Sequence, residues 1–194
     1  DCTLSHLTCR GTHYYWYRYV KGLNLKIDSK LTMTQDDTDA DKYSFMKDKW
    51  YPLQGMGYAS SETADGTSYR YGNFTSELHT YFQYKGGETL SFRGDDDVWA
   101  FINRKLFVDL GGMQSGNSAT ETLSNAKCSF VDKDGKTKSI VCDNKFDIYE
   151  NGIYELHFFQ AERCDSGSLY QLTLDGLLKT GQSVCTAEAT TCGN

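Results

Sequence analysis

Apolar and polar positions alternate along this chain in short runs, and no long stretch carries apolar residues at helical spacing. Leu23, Leu25 and Ile27, then Leu31 and Met33, alternate with polar residues on either side of Asp28-Ser29-Lys30. This predicts two half-buried strand segments between Leu23 and Thr34. Phe74, Leu78, Phe82 and Tyr84 mark one face of a strand from Phe74 to Tyr84, and Lys85-Gly86-Gly87-Glu88 turns it back into Thr89 to Phe92 as a hairpin. Val98 to Ile102 is continuously apolar, the pattern of a strand covered on both faces. After Asn103-Arg104, Leu106, Val108 and Leu110 alternate up to Gly111-Gly112, a second hairpin. The last two strands are Ile153 to Gln160 and Leu169 to Leu174. Residues 50–72, rich in Gly, Ser and Tyr, read as an irregular crossing between sheets, and residues 113–127 are polar and weakly patterned.

Composition agrees with an all-β chain: 14 Tyr, 10 Phe and a single Pro among 194 residues, enough for one domain with its own core. The expectation from pattern and composition is an all-β chain, residues 1–194 forming a single domain. A net charge of −6, with 20 basic residues scattered among 26 acids, excludes the basic stripe a nucleic-acid partner needs. No apolar run reaches the roughly 20 residues that cross a bilayer, so no membrane insertion is expected. With no leader pattern before Asp1, the chain reads as a soluble piece cut from a longer precursor.

Seven cysteines without CxxC or zinc spacing read as an oxidised framework in an extracellular protein, secreted or on the cell surface, with one thiol left over. Cys2 and Cys9, like Cys185 and Cys192, either close small terminal loops or cross-link the two ends. Cys128 and Cys142 flank Asp134-Gly135 almost symmetrically, which predicts a disulfide-bracketed hairpin; Cys164 has no evident partner.

The stretch Ser91 to Asn103, SFRGDDDVWAFIN, carries two chemistries at once. Arg93-Gly94-Asp95 is the tripeptide some secreted proteins present to integrins, while Asp95-Asp96-Asp97 places three carboxylates side by side. Adjacent carboxylates repel, so they require a cation or full solvation, the plain alternative being a solvated loop with one Asp capping backbone N–H groups. Calcium suits an irregular, all-oxygen set, whereas zinc would want the His and Cys this stretch lacks. The acidic run Asp36, Asp37, Asp39 and Asp41 lacks the Gly and the distant Glu of an EF-hand loop and reads as a solvated turn.

Asn73 to Gly112, together with WYPLQGMGYA at Trp50 to Ala59 and YELHFFQAERCDSGSLYQLTL at Tyr154 to Leu174, resembles the fibro-slime domain. That domain is a branch of the β-sandwich module first recognised in anthrax protective antigen. The resemblance implies an extracellular, jelly-roll-like antiparallel β-sandwich with its core at about 23–178 and cysteine-bearing flanks at 1–22 and 179–194, a module found in adhesins, secreted signalling factors and appendages of carbohydrate-active enzymes. In sugar-binding relatives two adjacent Asp joined by a cis peptide hold calcium, and the ion chelates sugar hydroxyls. Carried over, Asp95 and Asp96 match that pair, and Glu162 and Asp165 supply the remaining carboxylates from the loop before the last strand. Asp97, Gln114, Ser166 and Ser168 would face the ligand. The chain departs from the pattern at Asn103-Arg104, at Gly111-Gly112-Met113-Gln114 and at Cys164 inside the ligand loop.

No HExxH, G-x-S-x-G or P-loop accompanies the four His (His6, His13, His79, His157), and three acids on one turn cannot flank a scissile bond, so no catalysis is expected. His79 and His157 fall within predicted strands as packed or surface residues. Asn73-Phe74-Thr75 is an N-glycosylation acceptor. Trp99 reads as core, with stacking on a sugar ring as its rival role. The expectation is a calcium-dependent binding module for a carbohydrate or cell-surface glycan in adhesion. The alternatives are a structural or signalling module with purely structural calcium and a protein partner, and an accessory domain beside a hydrolase.

Overall fold

The computed structural model describes residues 15–53, 56, 73–163 and 167–178, with Asn73 described by its backbone alone. Among these residues there is no α-helix, and two antiparallel sheets face one another. One sheet holds β1 (Thr34–Gln35), β2 (Lys42–Lys47), β12 (Tyr170–Asp175), β4 (Thr89–Gly94) and β7 (Asn117–Thr122), in that spatial order. The other holds β3 (Asn73–Gln83), β11 (Ile153–Arg163), β5 (Asp97–Ile102) and β6 (Lys105–Leu110). A small third sheet is formed by β8 (Lys127–Val131), β9 (Thr137–Asp143) and β10 (Ile148–Tyr149).

Side chains alternate across each strand, so one face of each large sheet turns inward. Leu90 and Phe92 of β4 and Leu172 and Leu174 of β12 meet Val98, Ala100 and Ile102 of β5 and Leu156 and Phe158 of β11, all buried. The Phe92 and Phe158 rings, one from each sheet, lie 5.3 Å apart. Each such fully buried Leu or Phe contributes about 1.5–3 kcal/mol of apolar transfer.

The antiparallel sandwich is as expected, but the pairing differs in three places. The hairpin expected from Phe74 to Phe92 does not form: β3 pairs with β11 and β4 with β12 and β7, so the Gly86-Gly87 turn carries the chain from one sheet to the other. Buried Glu88 fixes that corner by accepting the N–H groups of Lys85 and Gly86. Residues 23–33 form no strand; Leu31 and Met33 pack on the core while Leu23 and Leu25 stay exposed. Alternation marks a face, and a strand also requires a free neighbouring edge. Conversely, β7 lies in the segment read as weakly patterned. As an outer strand it buries almost nothing, and it is joined to β4 by backbone pairing and by the hydroxyl pairs Thr89–Thr122 and Ser91–Thr120, each at 2.9 Å.

The hairpin expected between Cys128 and Cys142 is present and its disulfide is formed, with Cα atoms 5.9 Å apart. The turn is built by Asp132, whose Oδ1 accepts the N–H groups of Asp134 and Lys136, and by Gly135 at φ 77°. The other cysteines lie outside the described residues.

The β5–β6 turn tests the departure noted at Asn103-Arg104. Both residues take positive φ, 46° and 64°, as a two-residue turn of the primed type demands. Asn103 tolerates this and donates from its amide to the Phe146 carbonyl at 2.9 Å, while Arg104 has only an exposed ion pair with Glu155 in return. Arg104→Gly is therefore expected to raise stability by about 0.5–1 kcal/mol, since left-handed strain in a bulky residue outweighs a surface pair. Denaturant unfolding of the variant measures this, and an unchanged or lower midpoint would show the turn to be unstrained.

Candidate functional site

Four connections carry the chain between the two large sheets at one end of the sandwich. These are β2 to β3, β4 to β5, β6 to β7 and β11 to β12, and the register places their strand ends side by side: Gly94 opposite Tyr170 and Asn117, Tyr170 opposite Lys47, and Asp97 opposite Ala161. The β4–β5 corner is Asp95-Asp96, and its side chains reach the neighbouring crossings.

Asp95 Oδ1 accepts the N–H of Gly116 at 2.6 Å, and Oδ2 that of Leu169 at 3.0 Å. Asp96 Oδ1 accepts the N–H of Gln114 at 3.2 Å, and Oδ2 that of Arg163 at 2.7 Å. Asp97 Oδ1 accepts the N–H of Gly112 at 2.6 Å, while its Oδ2 lies 2.7 Å from Arg163 Nε, an ion pair without hydrogen-bond alignment. Three consecutive carboxylates thus hold the 111–116 crossing and both ends of the β11–β12 crossing. A hydrogen bond to a charged acceptor is worth about 1.5–3 kcal/mol, so this network is a major local stabilising term.

The same geometry describes the Arg93-Gly94-Asp95 tripeptide. Arg93 is exposed, but both Asp95 oxygens are turned inward onto backbone N–H groups. Gly94 is required by packing, because a Cβ there would stand 2.6 Å from the Leu169 carbonyl oxygen. No cis peptide occurs among the described residues; the corner between Asp95 and Asp97 is made instead by Asp96 at φ 55°, a left-handed conformation an Asp adopts more readily than most side chains.

The remaining site residues are placed as follows. Asp96, Asp97 and Glu162 are buried, and Glu162 follows Leu156, Phe158 and Gln160 on the inward face of β11. Ser168 is buried and donates to the Trp50 carbonyl. The Gln114 amide donates to the carbonyls of Asp96 and Leu110 and accepts from Asn117. Asp97, Gln114 and Ser168 are thus committed to the framework of the loops. Asp165, Ser166, Cys164 and the Asn73 side chain lie outside the described residues. Among the described residues no three His, Cys, Asp or Glu side chains converge as a metal cluster. An ionised carboxylate offers about four lone-pair sites, so Asp95 and Asp96 with one N–H per oxygen each keep acceptor capacity for a cation.

Residues the sequence did not signal complete the site. Trp16 and Tyr17, in the flank read only for its cysteines, lie across the outer face of the four-stranded sheet. Thr75 donates to the Trp16 carbonyl at 2.8 Å, the Arg163 guanidinium stands 5.8 Å from the Trp16 ring, and Tyr17 meets Phe159 edge to face at 5.0 Å. Burial, with the nearby Asp97 charge, pushes the Tyr17 hydroxyl well above its ordinary range. Arg163 is therefore held between Asp97 and Trp16 rather than paired along the strand with Glu162. Trp99, read as core, is half-buried on the outer face opposite Phe159 and Asp109, because Val98 and Ala100 take the inward positions. Farther along this face His79 and His157 are cross-strand partners. Burial first, and then the charge of His79, lowers the His157 pKa.

A sequence profile described as the PA14 domain matches residues 54–174. Protein psiQ of Dictyostelium discoideum is 29% identical over 196 residues, which cover 93% of this chain and 18% of that protein. Protein psiR of the same organism is 38% identical over 120 residues, 58% of this chain and 12% of that protein. Protein psiG is 28% identical over 190 residues, 92% of this chain and 24% of that protein. The chain spans less than a quarter of the length of each of these relatives.

Asp96→Ala leaves the N–H groups of Gln114 and Arg163 without their acceptor and is expected to cost about 2–4 kcal/mol, in chelator as in calcium. Urea unfolding in both buffers checks this; a loss seen only with calcium present would assign Asp96 to the ion alone. For His157 the lowered folded pKa means that its contribution is fully present above about pH 6.5 and is lost as pH falls through the folded value. His157→Gln should flatten the stability profile across that window, as thermal melts between pH 7.5 and pH 5 (about the span of a histidine titration) would record.

Proposed function

As this chain belongs to the PA14 domain family, we propose that it is an extracellular recognition module whose ligand is a carbohydrate, met at the end of the sandwich where the four crossings gather. Modules of this family are often carbohydrate-binding or adhesion domains. Within the family, Asn73 to Gly112 argues for the fibro-slime branch. The Cys128–Cys142 disulfide supports an oxidising, extracellular setting. Among the described residues no helix is long and apolar enough to cross a membrane.

The observation that carries the reading is the placement of Asp95 and Asp96 at the corner where the crossings meet, with lone pairs beyond those given to N–H groups. Asp95 and Asp96, with Glu162 and Asp165 as further candidates from the β11–β12 region, would hold calcium; when bound, it supplies open coordination positions to vicinal hydroxyls. This chain's own part is positional. Asp97 and Arg163 fix the base of the 111–116 crossing, Gln114 pins that crossing to the Asp96 and Leu110 carbonyls, and Ser168 fastens the last crossing to the Trp50 segment. A preorganised loop surface loses little entropy on binding, which matters for a shallow site that gains strength through multiple copies.

The commitment of Asp97, Gln114 and Ser168 to internal hydrogen bonds favours a second reading, a structural or signalling module with a protein partner. Glycan-array binding with and without chelator, alongside melting curves with and without calcium, separates the two. Sugar binding that chelator abolishes, and that the double variant Asp95→Asn/Asp96→Asn loses, is the expected result. Calcium-dependent melting without any glycan signal would transfer the chain to the second reading.

A further inference from the structure

A second chemical arrangement lies on the outer face of the four-stranded sheet. His79 of β3 and His157 of β11 are direct cross-strand partners, and both point away from the core because Leu156 and Phe158, on either side of His157, point into it. Their rings stand edge to face with centroids 4.3 Å apart. Each Nε2 has a carboxylate two residues away on its own strand: Glu77 Oε2 at 3.0 Å from His79, in hydrogen-bond geometry, and Glu155 Oε2 at 3.3 Å from His157, an ion-pair contact. In the neutral tautomer that puts the proton on Nε2, toward the carboxylate, Nδ1 is the unprotonated nitrogen of each ring.

We propose that His79 and His157 form a binding site for a borderline transition-metal ion, zinc or copper(II), ligated through the two Nδ1 atoms, with Glu77 and Glu155 orienting the rings. A carboxylate on the far nitrogen is the partner that metal-bound histidines recurrently use, since it sets the tautomer and raises the basicity of the ligating nitrogen. Metal–nitrogen distances of about 2.0–2.1 Å at a near-tetrahedral angle put two ring centroids roughly 5 Å apart. From the present 4.3 Å and 67° interplanar angle, χ rotation of the rings would have to widen the pair and turn both Nδ1 atoms toward one ion. Side chains that are 46% and 29% exposed leave an approach for the ion and positions for water as the remaining ligands. Imidazole nitrogen selects against calcium and magnesium, which favour oxygen, so this site and the aspartate corner take different ions. Occupied, it would clip β3 to β11 midway along their shared ladder.

The test is calorimetric titration of the whole chain with zinc and with copper(II), calcium being present in excess throughout. One saturable site is expected, lost in His79→Asn and in His157→Asn and weakened about tenfold in Glu77→Gln/Glu155→Gln. Copper electron paramagnetic resonance should show two coordinated nitrogens in the parent chain and fewer in each His variant, with melting curves confirming that the variants fold. Parent-like affinity in both His variants would assign the ion to His6, His13 or a cysteine and overturn the proposal, as would the absence of saturable binding. Because calcium is present throughout, failure here leaves the aspartate corner untouched, and a failed glycan assay leaves this site untouched.

Discussion

Two desolvation problems solve each other at one end of this sandwich. Three adjacent carboxylates cannot stay charged and largely buried without donors, and sheet-crossing loops cannot bury backbone N–H groups without acceptors. Asp95, Asp96 and Asp97 take five backbone N–H groups, from Gly112, Gln114, Gly116, Arg163 and Leu169, so the corner between β4 and β5 ties down the two neighbouring crossings. The sandwich core brings the sheets together; this exchange fixes how their ends are connected.

That arrangement shapes what the end of the sandwich can do. A loop surface whose polar groups are already paired presents a defined shape, and the acceptor capacity left on Asp95 and Asp96 is where a cation would add to it. Arg163 extends the network through the sheet: its backbone N–H serves Asp96, its guanidinium meets Asp97, and Trp16 lies over it. The strap formed by residues 15–18 is thus packed against Thr75 and Phe159 as well as Arg163, of which Arg163 belongs to the network that holds the loops. The opposite end of the sandwich is organised by the same device, with Glu88 capping the Gly86-Gly87 corner.

The outer face of the four-stranded sheet is chemically distinct from the loop end. It carries imidazoles paired with glutamates and aromatic rings rather than aspartates on amides. Phe101, Phe159, His79 and His157 form a continuous edge-to-face series there. An antiparallel ladder of eleven register pairs between β3 and β11 holds that series in place.

Local pattern by itself determined the all-β class, most strand positions and the Cys128–Cys142 hairpin; it left open which turn Asn103-Arg104 forms, and at Asp95-Asp96 it gave the acids but not the corner or the backbone N–H groups they hold. The class, the strands and the hairpin rest on contacts between near neighbours along the chain, or on alternation that a half-buried strand must show. Tertiary structure alone decided that Gly86-Gly87 joins two sheets rather than one hairpin, that residues 23–33 remain unpaired and that polar residues 117–122 become an outer strand. It also decided that Arg163 serves Asp97 under Trp16. In each case the outcome depends on which distant edge or N–H group is available, and alternation along a segment carries no record of its partner.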